Sequence, residues 1–384
     1  MGIQIRGSDD NISASDGSLT INGASFSTLQ VNGQNLPTAG PLSNRNLVIN
    51  GAMQVAQRGT SSSSLTSGNN FILDRWRTYI QDIGTYTISQ ASDAPTGFRY
   101  SYKVDCTTAD ASPSAADDMT FYCNFEGQDF QHLKKGTASA ESVTLSFWVK
   151  SNKTTTGQVN FRDQDNSRMI SGTYTINSAD TWEYKTITFV GDTSGVLDND
   201  NAASIQLQWY LDSGSNFTSG SINSSWGSDT AANRNVNNFG LASSTDNYWQ
   251  ITGVQLEVGS VATPFEHRSY GDELARCQRY YGKIRLRNQE WIYNEGNAAD
   301  NKWHWANIPF TMRTNPSVDV SDLTTGGSVS GLSGTISTFA PQSPGDTPGR
   351  ISTRVTMSTA TGTGRNVYHT DALNSDYIAV SAEL

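Results

Sequence analysis

The chain has 384 residues, a formal net charge of −10 and only 16% charged residues, and it is rich in Gly, Ser, Thr, Asn and aromatic side chains while poor in Leu and Lys. That length allows two or three domains, each with a core of its own, and the composition suits short strands joined by turns rather than helices. The acidic balance, with no Lys/Arg-rich run, excludes a nucleic-acid footprint. Residues 1–10 carry no apolar signal-peptide core, and no run of about 18 apolar residues could span a bilayer, so the expectation is a soluble protein made in a cytoplasm, without membrane insertion. Cys106, Cys123 and Cys277 are an odd number without C-x-x-C spacing, which argues against a disulfide framework or a zinc site. Buried reduced thiols are expected, a Cys106 to Cys123 bridge being the alternative.

Residues 1–45 repeat the pattern Ile21-Asn22-Gly23 and Val31-Asn32-Gly33, with Ile49-Asn50-Gly51 just beyond. Asn-Gly is a hairpin signal because both residues tolerate positive φ. Leu19, Ile21, Phe26, Leu29 and Val31 are too few to build a core alone, so this segment is expected to be an attachment arm that orders against other chains, a flexible leader being the alternative.

Residues 46–268 read as one antiparallel sandwich. Strands are expected at 46–50, 71–80, 100–104, 143–150, 157–161, 182–190, 204–211 and 248–258, with a Ser/Thr/Gly/Asn loop over 59–70. Val143, Leu145, Phe147 and Val149 alternate with polar neighbours, and Ile205, Leu207, Trp209 and Leu211 do the same. Period-two apolarity on well-spaced strands means two packed sheets.

Four pieces, Asn46-Leu-Val-Ile-Asn-Gly-Ala-Met-Gln54, Leu73-Asp-Arg-Trp76, Leu145-Ser-Phe-Trp-Val-Lys150 and Ile251-Thr-Gly-Val-Gln-Leu-Glu257, together resemble the jelly-roll module of bacteriophage tail-fibre proteins. That module is similar in turn to carbohydrate-binding, galactose-binding-like sandwiches. The resemblance spans 46–268 and implies a virion-surface protein that contacts host cell-surface polysaccharide. It also implies a structural calcium near Gln54 and Gln255. Both positions are amides here, so no tightly held metal or other cofactor is expected, only weak ligation by Gln54, Gln255 and Glu257, with Asp74 nearby.

Residues 269–384 begin with a short helix at 272–281, where acids precede Arg276 and Arg279, after a hinge at 264–270. Strands are expected at 283–287, 303–310, 317–320, 351–357 and 377–384. Cys277-Gln-Arg-Tyr-Tyr281, Pro309-Phe-Thr-Met-Arg313 and the final Ala-Glu-Leu384 resemble the distal domain of phage fibres, which implies a homotrimer with this C-terminal β domain as trimerisation centre or tip. Residues 1–45 would then dock on other virion proteins.

Catalytic chemistry finds little support. His132, His267, His304 and His369 lack metal-site spacing, and no nucleophile elbow, P-loop or dinucleotide fingerprint occurs. Asp192, Asp198 and Asp200 read as solvated turn residues, and Asp163-Gln-Asp165 as a surface turn. Trp76, Phe147, Trp148, Trp209 and Trp249 read mostly as packing residues. Trp226, in a polar loop with Asn223, is the candidate for stacking on a sugar face with amides beside it, a loop anchor or trimer contact being the alternative. Trp291 and Tyr293, near Trp303 and Trp305, form a second candidate aromatic group, for which core or subunit interface is the alternative. The expectation is therefore an all-β protein with an N-terminal arm (1–45), a jelly-roll sandwich (46–268) and a smaller C-terminal β domain (269–384). It acts, without catalysis, as a tail fibre binding host glycans. A capsid decoration or head fibre and a glycan-degrading tailspike are the alternatives.

Overall fold

The computed structural model describes residues 30–31, 34–35, 44–285, 293–294, 301–319, 321, 336–341, 350–357 and 377–384, with side chains described over 44–284, 308–319, 321 and 378–384. The chain divides into two compact units, Met1–Thr38 and Ala39–Leu384. In the first, β1 (Gln30–Val31) and β2 (Gln34–Asn35) pair antiparallel on either side of Asn32-Gly33, the spacing of an Asn-Gly hairpin. The rest of the expected arm up to residue 43 lies outside the described residues.

The second unit is almost wholly β. Its first eleven strands are β3 (Ser61–Asn70), β4 (Arg77–Ala91), β5 (Ser101–Thr108), β6 (Asp118–Glu126), β7 (Val143–Ser151), β8 (Thr156–Asp163), β9 (Arg168–Thr175), β10 (Glu183–Phe189), β11 (Ala203–Ser213), β12 (Gly227–Ser228) and β13 (Tyr248–Val258). They form one antiparallel path in the order β10-β7-β13-β5-β4-β6-β11-β8-β9-β12, with β3 on β4. The path becomes two layers because β4 bends: its residues 77–81 pair with β6, while 85–91 pair with β5. Gly84 sits between the halves at φ +66, where a Cβ would stand 2.6 Å from the Thr108 carbonyl oxygen, so glycine is required at the corner. At the far ends β9 and β10 approach each other, since a Cβ on Gly172 would lie 2.4 Å from Ile187 Cγ2. The result is a curled, jelly-roll-like sandwich.

The alternating residues expected to face inward do so. Val143, Leu145, Phe147 and Val149 are buried, as are Ile205, Leu207, Trp209 and Leu211. Between the layers Trp76 stacks on Phe121 at 4.7 Å, and Trp209, Trp249 and Phe147 meet that pair or each other edge-on or tilted. Trp148, alone of the five aromatics read as packing residues, is only half-buried and lies against Tyr184 on the outer face. The three cysteines are free and buried.

Two segments differ from the sequence reading near the start of the sandwich. Residues 46–50 are not a regular strand: Leu47 N–H donates to Leu256 O at 2.8 Å, but the Asn46 side chain takes the neighbouring positions by accepting from Val48 and Leu256 N–H groups. The chain then turns at Asn50, whose φ is +58 and whose amide ties Val55 to Asp74. Residues 61–70, expected as loop, form β3 by pairing with both halves of β4. A strand with mostly exposed side chains has no apolar alternation to betray it.

After β13 the segment 259–269 is tied to the sandwich rather than left as a free hinge. Asn46 N–H donates to Glu266 Oε2 at 3.0 Å, and Arg268 Nη1 to Val48 O at 3.0 Å. Four-residue α1 (Ser215–Thr218) lies earlier in the chain, and α2 (Tyr270–Gln278) follows, capped by Ser269 accepting from Asp272 N–H. The remaining strands are β14 (Tyr281–Arg285), β15 (Tyr293–Asn294), β16 (Asn301–Asn307), β17 (Ser317–Asp319), β18 (Ile336–Pro341), β19 (Arg350–Met357) and β20 (Tyr377–Ser381), in two small antiparallel sheets ordered β14-β20-β17 and β15-β16-β19-β18. The chain end is fixed on the sandwich: Glu383 Oε2 accepts from buried Arg75 at 2.6 Å, and Arg279 and Tyr280 both bond Glu126 of β6.

Candidate functional site

The outward face of β6 and its neighbours gathers the polar groups best suited to a ligand. On β6, Met119, Phe121, Cys123 and Phe125 enter the core, which turns Asp118, Thr120, Tyr122 and Asn124 outward. On β11 the inward set leaves Gln206, Gln208 and Tyr210 on the same outer face. Strand register lines these up in rows: Arg77, Tyr122, Gln208 and Asn160 in one, Tyr79, Thr120, Tyr210 and Gln158 in the next.

These side chains face away from the core, yet Gln208 is 5% exposed and Gln206 7%. Two walls account for it. The excursion between β11 and β13 covers one side, where Gln158 and Asn160 donate to the carbonyls of Asn233 and Arg234 at 2.8 and 2.7 Å and Phe217 packs on Tyr210. The chain end covers the other, where Arg77 and Asn124 donate to Leu384 O at 2.6 and 3.0 Å. The face is a narrow, covered trough: Tyr122, Gln206, Gln208 and Tyr210 on its floor are all buried.

Most of the trough is internally bonded. Asp229 accepts from Arg162 Nε at 2.8 Å and Arg234 Nε at 2.7 Å; burial opposes its ionisation, but the two guanidiniums hold its carboxyl below the usual carboxylate range. Arg162 also bonds Gln206, whose amide donates to Asn124 Oδ1 at 3.0 Å, and Arg77 donates to Tyr122 Oη at 2.8 Å. Two groups lack a hydrogen-bond partner among the described residues. Gln208 Oε1 is buried with no hydrogen-bond partner among the described residues. The Asp118 carboxylate shifts through burial and through charge from Arg234 and Asp117 but through no hydrogen bond; burial pushes its pKa up to about 6. An unpaired buried acceptor costs roughly 1–3 kcal/mol, a cost that a ligand hydroxyl would relieve. Unpaired acceptors beside tyrosine rings suit a ligand with many hydroxyls and apolar C–H faces.

Glycosidic cleavage needs an acid and a second carboxylate across the scissile bond, and the carboxylates around Asp118 are each engaged in hydrogen bonds. Asp117 accepts from Ser114 N–H at 2.7 Å, Asp229 is held by two arginines, and Asp212 accepts from Asn238 and Ala242.

The residues singled out from sequence lie elsewhere. Trp226 is not a lone exposed indole: its N–H donates to Val190 O at 2.7 Å, its ring meets Phe161 edge-on, and Lys135 Nζ sits 3.9 Å from its centroid. Asn223 donates to Met169 O and Ser228 O at 3.3 and 3.1 Å and accepts from Asn233 at 2.8 Å, so its amide fixes the loop. Trp291 lies outside the described residues; Tyr293 begins β15 opposite His304, its side chain likewise undescribed. Asp192, read as solvated, is buried with Asp163 around Lys135, at 3.0 and 3.2 Å, and also pairs with Arg168.

The calcium implied by the resemblance does not fit this side-chain set. The Gln255 amide nitrogen stands among Glu257 Oε1 at 2.9 Å, Thr263 O and Oγ1 at 3.2 and 3.3 Å, and Pro264 O at 3.4 Å. A donor nitrogen fills the place among oxygens that a cation would need. Glu257 accepts in addition from Thr263 N–H and Oγ1. Gln54 lines a separate cleft with Arg99. Among the described residues no group of three or more His, Cys, Asp or Glu converges on a metal position.

No family model matches the chain, and no curated protein matches it. Similar solved structures include the enzymatically active domain of tailspike protein 4 of bacteriophage CBA120, at 15% identity and TM-score 0.29, covering 56% of this chain. The match spans only 21% of that tailspike chain. A family 11 carbohydrate-binding module from Clostridium thermocellum, in complex with a β-1,3-1,4-mixed-linked tetrasaccharide, matches at 11% identity and TM-score 0.27 over 54% of this chain and 99% of that one. The N-terminal CBM22 tandem domain from Paenibacillus barcinonensis Xyn10C matches at 9% identity and TM-score 0.25 over 91% and 92%. Likeness at this level assigns no function, and the chemistry of the trough carries the reading below.

Proposed function

We propose that this chain recognises glycans without cleaving them, through the trough on β4, β6 and β11. The observation that carries the reading is Gln208 Oε1, a buried acceptor without a partner among the described residues, directly opposite Tyr122 and two residues from Tyr210, with the Asp118 carboxyl farther along the same outer face of β6. Gln208 and Asp118 accept from saccharide hydroxyls, and Tyr79 and Tyr122 offer ring surface to C–H faces. The fibre motifs at 46–54, 145–150 and 251–257 support placing this activity on a virion surface, as the receptor-binding part of a phage tail fibre that engages host polysaccharide. Within that reading residues 269–384 assemble three copies and residues 1–45 dock on the particle.

Glycan-array binding of the full chain, followed by an assay for new reducing ends, tests the proposal. Saturable binding with no released reducing sugar is expected; release would overturn the non-catalytic reading in favour of a tailspike-type enzyme. Light scattering should give three copies, and a stable monomer would undo the trimeric fibre.

A further inference from the structure

A second cleft, of about 490 Å³, lies outside the trough and is lined by Gln54, Thr60, Gln90, Arg99, Tyr100 and Tyr270. Its size falls within the range of small-molecule sites. It is built rather than incidental. Gln90 N–H donates to Thr60 O at 2.8 Å, the Gln90 amide donates to Met53 O at 2.7 Å and Gln54 O at 3.2 Å, and Tyr100 O accepts from Thr252 Oγ1 at 2.7 Å. These bonds fix the Gln90 side chain and the backbone at Gln54, Thr60 and Tyr100 before any ligand arrives, which lowers the ordering cost of binding. Tyr270 opens the capped helix α2 with its side chain 55% exposed.

The chemistry of this cleft differs from that of the trough. Among the described residues no carboxylate lines it, and the one charged group there is the exposed Arg99, whose guanidinium lies 5.1 Å from the Tyr100 ring centroid and makes no ion pair. On a chain of net charge −10, an unpaired guanidinium in a carboxylate-free cleft selects an anion and disfavours a cation. The Gln90 amide nitrogen is spent on the backbone, which leaves its carbonyl oxygen to accept, while the Thr60 hydroxyl and the Gln54 amide can donate and accept. Two tyrosine rings beside these groups suit a sugar ring more than a bare inorganic anion.

We infer that this cleft is a second saccharide site, selective for a carboxylate-bearing sugar, with Arg99 receiving the carboxylate, Tyr270 and Tyr100 flanking the ring, and Gln54, Gln90 and Thr60 meeting its hydroxyls. The site is separate from the trough, and its success or failure is independent of the reading given there.

The test is isothermal titration of the full chain with trigalacturonate, with a neutral trisaccharide and with inorganic phosphate, for wild type, Arg99→Gln, Tyr270→Ala and Gln208→Ala. Arg99 and Tyr270 are exposed, so melting temperatures serve as a control for folding. Trigalacturonate should bind wild type, lose about tenfold or more in affinity in Arg99→Gln and in Tyr270→Ala, and be unaffected by Gln208→Ala. Neutral-sugar binding should ignore Arg99→Gln. The inference is overturned if the uronate does not bind, binds Arg99→Gln as well as wild type, is lost with Gln208→Ala, or is displaced by phosphate at equal concentration.

Discussion

Gln208 stands directly opposite Tyr122 in the β6–β11 ladder, and its amide oxygen is buried without a partner among the described residues. Buried acceptors are ordinarily paired, so this one is an exception that a ligand hydroxyl would resolve. Replacing Gln208 by Ala should weaken glycan binding by about tenfold or more while leaving stability within roughly 1 kcal/mol, because the lost side chain carried an unmet desolvation cost. Titration calorimetry and thermal melting together check this, and a large loss of stability would mean that Gln208 is a structural residue.

Asp118 gives the trough a pH signature. Burial raises its pKa from the model-peptide 3.8 to about 6, so the folded state holds this proton more tightly than the unfolded chain. Its stabilising contribution is full below the unfolded value and is lost as pH rises through about 6. In Asp118→Asn the fall in stability between about pH 4 and 6 should therefore shrink relative to wild type. Ligand binding should move in the opposite direction, weakening in wild type as pH drops below about 6 and the acceptor carboxylate is protonated. Paired melting and binding curves for the two proteins check both signs.

Asp192 predicts the reverse slope. Burial opposes its ionisation, but Arg168 and Lys135 hold its pKa down to about 2, so its contribution is present above the unfolded value and fades as pH falls toward 2. Lys135 and Asp192 are both almost wholly buried, and Asp192→Asn leaves a buried ammonium short of countercharge. A destabilisation of about 3 kcal/mol is expected by chemical denaturation, together with a change in tryptophan fluorescence, since Lys135 sits over Trp226.

The chain end should matter to the sandwich. Arg75 is 4% exposed in its side chain and pairs with Glu383 at 2.6 Å, while its guanidinium lies 3.4 Å from the Tyr280 ring centroid. Glu383→Gln keeps a hydrogen-bond acceptor but removes the countercharge, and the melting temperature should fall by an amount equivalent to about 2–4 kcal/mol. An unchanged melting curve would mean that the terminus does not brace the trough wall.

The sandwich was legible where one face is apolar and the other polar, as in β7, β11 and β13, because burial imposes period two on the residues themselves. β3 was hidden: Ser61 to Asn70 offer almost no apolar side chains, and their strand exists only through partners on β4. Residues 46–50 misled for the opposite reason, since Leu47, Val48 and Ile49 look strand-like while the side chains of Asn46 and Asn50 take over backbone bonding. The trough was missed although Met119, Phe121, Cys123 and Phe125 alternate plainly; the polar positions between them become a site only when β11 and β4 arrive alongside. Trp226 stood out by its isolation in sequence, and the residues that engage it, Lys135, Phe161 and Val190, are distant in the chain.

A crystal structure of the chain with a bound neutral oligosaccharide tests the account most directly. The sugar should lie across the β4–β6–β11 face, with a hydroxyl donating to Gln208 Oε1 and another to Asp118, and with a tyrosine ring of Tyr79 or Tyr122 against its C–H surface. A neutral saccharide seated elsewhere, with Gln208 Oε1 left unpaired, would contradict it.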